Sequence, residues 1–351
     1  MASRRLILSY VIDWIVIIII AAIGAGFNFT GSYHRPFSLV DLSISYPYVP
    51  EQISTWLLVL ITLILPAIII FVVCLLLFPA RSRDAAVSSK LIWRRKLWEL
   101  NTGWMGLALS LALQFMLVQG MKNLFGKPRP DLLSRCQPDI ANYKNHILSG
   151  TAFGTEFNPA WVLVGDTICQ QTDKSLLNDG FRSFPSGHAS FSWGGLFYLA
   201  LFLASKFSIA IPYAPGRLAS DDPDDLILPQ SEQESEQMWS LSTLSQRNRA
   251  AAPPLPALAL PLVPICVAIY ITSTRYFQFY HHGFDLLFSS LLGTAGAWLA
   301  FRWYHPAISG GAGWSWGPRT INRAFMIAVG RGGYVGREGW SSRGPKEPAS
   351  R

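Results

Sequence analysis

Charge is what this sequence has least of. Only 14% of its 351 residues are Asp, Glu, Lys or Arg, against 50% apolar, a balance too greasy for an ordinary soluble domain. There is also no cluster of carboxylates or histidines of the kind that Mg²⁺ or Zn²⁺ requires, so no metal or other cofactor is expected. No basic run is interleaved with a nucleic-acid motif, so the net charge of +8 does not point to a nucleic-acid partner. Cysteine is scarce: of the four, Cys74 and Cys266 fall within apolar runs, where buried thiols are unremarkable.

What the chain does have is long apolar runs. Six stand out, near Leu6–Phe27, Ile53–Phe78, Gly103–Val118, Ala189–Phe207, Pro256–Ile271 and Leu286–Phe301, several at the length of about 20 residues that crosses a hydrocarbon core. The fold class expected is therefore all-α, a polytopic membrane protein with six transmembrane helices. Trp14, Trp56, Trp104, Trp193, Trp298 and Trp303 lie in or beside these runs, as membrane packing and interfacial belts would place them. Arg4 and Arg5 before the first run resemble the start of a cleaved signal, but the run is long for one and contains Asp13, so a retained anchor is expected. Asp13 would then reach toward the cytoplasmic interface.

An even number of spans puts both termini on one side. Twenty of the 29 Lys and Arg fall on that side, which the positive-inside rule assigns to the cytoplasm. The link from Pro79 to Thr102, with Trp93 and Trp98 beside Arg94, Arg95 and Lys96, suits an interfacial helix on anionic lipid. Residues 1–305 form the six-span domain. Within it, 212–256 is acidic and too polar to bury a core, so it reads as a disordered cytoplasmic insertion, and 306–351 is a basic Gly- and Arg-rich cytoplasmic tail. Asn28-Phe29-Thr30 is a glycosylation sequon close to the membrane. Cys136 and Cys169 share a long extracytoplasmic loop, an oxidising setting in which a disulfide is expected.

Three short segments carry chemistry. At the end of the third run, Lys122-x6-Arg129-Pro130 sets two cations near one helical face, where they could converge on one anion or serve as a positive flank. Before the fourth run, Pro185-Ser186-Gly187-His188 offers a hydroxyl and open backbone amides at a helix start, a site for a phosphate-like anion, although Pro-Ser-Gly also makes ordinary turns. Between the last two runs, Arg275-x5-His281-x3-Asp285 would place Asp285 one turn beyond His281 if a helix begins there. The carboxylate would then hold one imidazole nitrogen and free the other. The alternative is a polar first turn leaving the bilayer. Span parity puts all three segments on the extracytoplasmic side, and three accidental coincidences of chemistry and sidedness are a poor explanation.

Together these segments resemble the three-part signature of the type 2 phosphatidic acid phosphatase superfamily, closest to its fungal lipid phosphate and diacylglycerol pyrophosphate phosphatases, over roughly Leu6 to Tyr304. Thr274 stands where the family usually has serine. The resemblance implies a metal-independent lipid phosphate phosphatase acting through a phosphohistidine. It makes His281 the nucleophile, Asp285 its orienting partner and His188 the proton donor to the leaving group. Lys122, Arg129, Ser186, Gly187 and Arg275 would bind the phosphoryl oxygens. Spacing favours His281 over the adjacent His282. Partners would be lipid phosphates and membrane lipids, with the site luminal or extracellular and its specificity set by the loops 37–48 and 131–182. Phosphotransfer to an alcohol and non-catalytic binding of phosphate lipids are the competing functions. Lipid preference, organelle and oligomeric state stay open at this level.

Overall fold

The computed structural model describes residues 4–77, 89–148, 158, 161–207, 209, 253–308 and 315. Asp13–Gly317 forms one compact unit, which holds every element of the site. Residues 210–252 of the acidic insertion, and the tail beyond 308 except Ser315, lie outside the described residues.

The longer helices are α1 (Arg4–Asn28), α2 (Thr55–Leu77), α3 (Ser89–Phe125), α4 (Leu132–Cys136), α5 (Lys174–Gly180), α6 (187–206), α7 (Ala259–Phe277) and α8 (Gly283–Tyr304). Among the described residues β structure is limited to isolated bridges such as Phe37 to Val164. The fold is all-α. Helices α1, α2, α3, α7 and α8 are long and apolar enough to cross a membrane. The expected fourth span falls on α6, which does not join those five. It carries Ser190, Ser192, Gly194 and Gly195, all buried, and a helix walled in by protein does not need a lipid-facing surface.

Close approach explains how α6 reaches the middle. A side chain at Gly195 would lie 2.1 Å from the Thr62 carbonyl oxygen on α2, and one at Gly293 of α8 would lie 2.6 Å from the Ser190 carbonyl oxygen. Thr62 sits in a π-helical stretch, Leu60–Ile64, just before Pro66. That widened turn is the usual accommodation where proline removes a donor and crowds the carbonyl four residues back. A polar stripe on α3 then ties the bundle together. Ser110 Oγ donates to the Gly194 carbonyl at 2.9 Å, Gln114 accepts from Ser190 Oγ at 2.5 Å, and Gln114 Nε2 donates to the Leu292 carbonyl at 3.1 Å. Around the stripe pack Ile70, Leu107, Tyr198, Phe202, Ala297 and Phe301.

Two sequence expectations change. Residues 89–102, read as part of a separate interfacial link, are the opening turns of α3, because no glycine or proline breaks the helix before Gly103. Asp13, expected to reach toward the interface, has a protein partner: Tyr304 Oη donates to it at 3.3 Å.

Outside the bundle, residues from the α1–α2 and α3–α6 connections form a small layer of their own. Phe37, Ile44, Leu132, Cys136, Val164, Ile168 and Phe181 make its core. The Cys136 and Cys169 sulfurs are 1.95 Å apart within it. The layer touches the α7–α8 turn through Tyr46, stacked on Phe279 at 4.7 Å, and Tyr48, 6.5 Å from Tyr280.

Candidate active site

The three segments meet at one end of the bundle. Helix α3 delivers Lys122 at its last turn, and a methyl group on Gly187 would lie 3.4 Å from Lys122 Nζ, which sets the amine beside the start of α6. Arg129 follows the helix end marked by Pro128, and its backbone N–H is held by the Gly180 carbonyl at 2.8 Å. Arg275 comes from the last turn of α7 and is fully buried. Tyr280 gathers these cations: the guanidinium carbons of Arg129, Arg135 and Arg275 lie 5.0, 5.1 and 5.3 Å from its ring centre, a cation–π arrangement that holds like charges close together.

Carboxylates balance only part of this charge. Asp179 pairs with Arg129 Nη2 at 2.7 Å and Arg135 Nη1 at 3.0 Å, and Asp131 takes Arg135 Nε at 2.8 Å. Burial alone would raise the Asp179 carboxyl, but Arg129, Arg135, Lys122 and Arg182 hold it below its ordinary value. Glu51 pairs with Arg275 Nη1 at 3.2 Å. Even so, Arg129 Nε and Nη1 are buried without a hydrogen-bond partner among the described residues. Buried charged donors are costly when unmet, and an anion between them would meet that need.

His281 is buried in the turn between α7 and α8. Phe279 in that turn has φ of 60°, a left-handed conformation unusual for a bulky residue, stabilised by the stacking on Tyr46. Burial, together with Arg129 and Lys122, pushes the His281 imidazole well below its ordinary pKa, which favours the neutral ring. Its Nδ1 lies 2.5 Å from the Ser183 carbonyl oxygen. That oxygen can only accept, so Nδ1 carries the proton and Nε2 keeps its lone pair.

This arrangement corrects the expected contact between Asp285 and His281. Helix α8 starts at Gly283 with His282 as its cap, two residues later than the spacing argument required, so the one-turn relation does not apply. Asp285 Oδ2 accepts from Ser183 Oγ at 2.6 Å and from the His282 N–H at 3.2 Å, and Oδ1 pairs with Lys127 Nζ at 2.7 Å. The carboxylate therefore reaches the imidazole only through Ser183. His282 Nδ1, 3.4 Å from Asp285 Oδ2, is the histidine beside the acid.

Ser186 has a structural part to play as well. It is fully buried, its hydroxyl caps α6 by accepting from the Ala189 N–H at 3.4 Å, and its own N–H donates to Ser289 Oγ at 2.7 Å. Its hydroxyl helps shape the turn through its oxygen, and the capping bond leaves the O–H able to donate. His188 Nε2 sits 2.9 Å from the Ile53 carbonyl oxygen, which also accepts from Arg275 Nη2 at 3.2 Å. A strap at Pro50–Ile53 thus crosses both residues, and Gln278 Nε2 fastens it through the Pro50 carbonyl at 3.0 Å.

The sequence reading missed Glu51, Asp179, Arg135, Tyr280, Ser183, Lys127 and Arg182. Only Asp131-x3-Arg135 carried a local signal, an acid four residues before a cation. The others act across long stretches of chain. Among the described residues no three His, Cys, Asp or Glu side chains group as metal ligands.

Residues 103–309, more than half of the chain, match the PAP2 superfamily. The chain belongs to this superfamily. Among PAP2 relatives, the Schizosaccharomyces pombe protein named "Probable diacylglycerol pyrophosphate phosphatase 1" is 30% identical over 79% of this chain and 74% of its own length. The Saccharomyces cerevisiae protein named "Diacylglycerol pyrophosphate phosphatase 1" is 26% identical over 84% of this chain and 80% of its own length. "Lipid phosphate phosphatase 2" of Arabidopsis thaliana is 22% identical over 86% and 79%. No solved structure matches the chain. All three PAP2 signature segments lie within or beside the matched region, at the cation-lined end of the bundle.

Proposed function

We propose that this PAP2 protein is a lipid phosphate phosphatase that hydrolyses phosphatidate, diacylglycerol pyrophosphate or related lipid phosphates through a phosphohistidine, without a metal. The observation that carries the reading is the set of unmet guanidinium donors on Arg129 together with a buried His281 whose Nδ1 is held by the Ser183 carbonyl. The relatives' names supply the lipid phosphate chemistry.

In this reading Lys122, Arg129, Arg275 and the Gly187 amide at the start of α6 hold the phosphoryl oxygens. Their fixed positive charge stabilises the transition state, which is the contribution a metal makes in other phosphatases. The Nε2 lone pair of His281 attacks phosphorus, the P–O bond to the leaving group breaks, and His188, which must be in its imidazolium form beside the bound phosphate dianion, gives its Nε2 proton to the departing oxygen and is left neutral. His188 then takes a proton from water, whose oxygen attacks phosphorus and breaks the P–N bond. Substrate binding displaces Glu51 from Arg275 and the Ile53 carbonyl from His188. Asp285 supports the nucleophile through Ser183. The distribution of basic residues supports a sixth span at α6, cytoplasmic termini and a site facing the lumen or cell exterior.

The test uses purified protein in detergent micelles with labelled phosphatidate and a chelator. Release of free phosphate is expected. Strict dependence on Mg²⁺, or product formed only with an added alcohol acceptor, would replace this reading with a metal-dependent enzyme or a phosphotransferase.

A further inference from the structure

Arg182 lies outside the three signature segments, three residues before Pro185. Its Nη2 donates to Gln119 Oε1 at 2.8 Å, and its Nε is buried without a hydrogen-bond partner. Gln119 precedes Lys122 by three residues on α3, so the two project from one helical face. Lys122 Nζ in turn abuts Gly187. The Arg182 guanidinium is therefore fixed near the Lys122 side of the phosphate site by a neutral strut.

Its pairing differs from that of its neighbours. Arg129, Arg135 and Arg275 each contact a carboxylate, whereas Arg182 has no carboxylate within 4.0 Å among the described residues. It still shares the field of Asp179 with Lys122, Arg129 and Arg135. A half-buried guanidinium beside another cation, with one donor unmet and no ion pair, is an unfavourable arrangement that a second anionic group would relieve. The reacting phosphate already has Lys122, Arg129 and Arg275.

We propose that Arg182, braced by Gln119, binds the second, non-reacting phosphate of a lipid pyrophosphate and makes diphosphate lipids the preferred substrates. This rests on the phosphatase reading above. When His281 Nε2 bonds to the terminal phosphorus, the bridging P–O bond breaks and its electron pair leaves with the monophosphate lipid. Arg182 faces the group on which that charge accumulates. Water then cleaves the P–N bond, so the net reaction consumes one water and yields inorganic phosphate and the monophosphate lipid. A monophosphate substrate departs as an alcohol, and Arg182 contributes little to it.

The experiment compares wild type with Arg182→Gln on diacylglycerol pyrophosphate and on phosphatidate in the same micelles. Loss of one charged hydrogen-bonding partner should lower kcat/KM for the diphosphate about 10- to 100-fold, with phosphatidate turnover staying within about threefold. Inorganic pyrophosphate should also inhibit wild type more strongly than phosphate does, and the variant should lose that difference. Gln119→Leu, which removes the strut and keeps the charge, should give the same selective loss in weaker form even if the arginine variant fails to fold. Equal losses on both lipids, or an unchanged substrate ratio, would overturn the proposal. A wild type inactive on both lipids would instead remove the phosphatase reading itself, and this proposal with it.

Discussion

Helix α3 carries a charge near each end, buried Glu99 and half-buried Lys122, and the two are treated differently. Near its start, Glu99 pairs with Lys206 of α6, and Glu99 also accepts from the Ser315 N–H at 2.9 Å and its hydroxyl at 2.7 Å. Each formal charge there has an opposite. At the other end, about 35 Å along the helix by its rise per residue, Lys122 stands with Arg129, Arg182 and Arg275, and guanidinium donors are left unmet. The satisfied pair is what a bundle needs in order to enclose charge. The unsatisfied array is stable only as a place for an anion to enter.

Breaking the nucleophile should give the largest difference between the ends. His281→Ala should lower phosphate release by about 10⁴-fold or more, while His282→Ala, which touches Asp285 and Ser183, should keep most of the activity. Full turnover in the first variant would move the nucleophile elsewhere. Next, Arg275→Ala should cost about 10²- to 10³-fold in kcat, the scale of losing a preorganised donor to developing charge. An unchanged kcat would take Arg275 out of the phosphate site.

The paired end should respond in stability. Lys206→Met alone leaves Glu99 buried without its cation and should cost about 3–5 kcal/mol, read as a lower thermal midpoint in detergent, and Lys206→Met with Glu99→Leu should recover much of it. No recovery would show that Lys206 matters for some reason other than the pair. In the outer layer, Cys136→Ser with Cys169→Ser opens a loop closed over a separation of 33 residues and should cost about 3–4 kcal/mol on the chain-entropy account. Finding both thiols alkylatable in the untreated protein would remove that bond.

The smallest effect concerns protons. His281 lies below its ordinary value, chiefly through burial and then through Arg129 and Lys122, whereas in the unfolded chain it would protonate near pH 6.5. Its contribution to stability is thus complete above that pH and declines as pH falls below it. Imidazole NMR should find His281 still neutral at about pH 6. A protonated ring there would contradict its burial among cations.

The helices and the chemistry were legible because both are written locally. Apolar runs of membrane length mark the spans, and Lys122, Arg129, His188, Arg275 and His281 belong to segments that point to an anion site only when taken together, on one expected side of the membrane. The partner of His281 was not legible. It depends on α8 starting at Gly283, a choice made by the tight turn at Phe279 and by Asp285 capping the His282 N–H, and neither is visible in an Arg-x5-His-x3-Asp spacing. The capping bond of Ser186 was not legible either, since only the folded helix start brings the Ala189 N–H to its hydroxyl.

By itself the sequence determined an all-α protein with helices of membrane length, and three short motifs that resemble the PAP2 superfamily. The first follows from hydropathy along the chain and the second from residue types at fixed spacings. Only the tertiary structure decided which charges find partners. Glu51 and Asp179 reach Arg275 and Arg129 across distant parts of the sequence, Ser183 stands between Asp285 and His281, and Arg182 is held by Gln119 with no ion pair among the described residues. Such matters turn on distances between segments, and a one-dimensional pattern does not contain them.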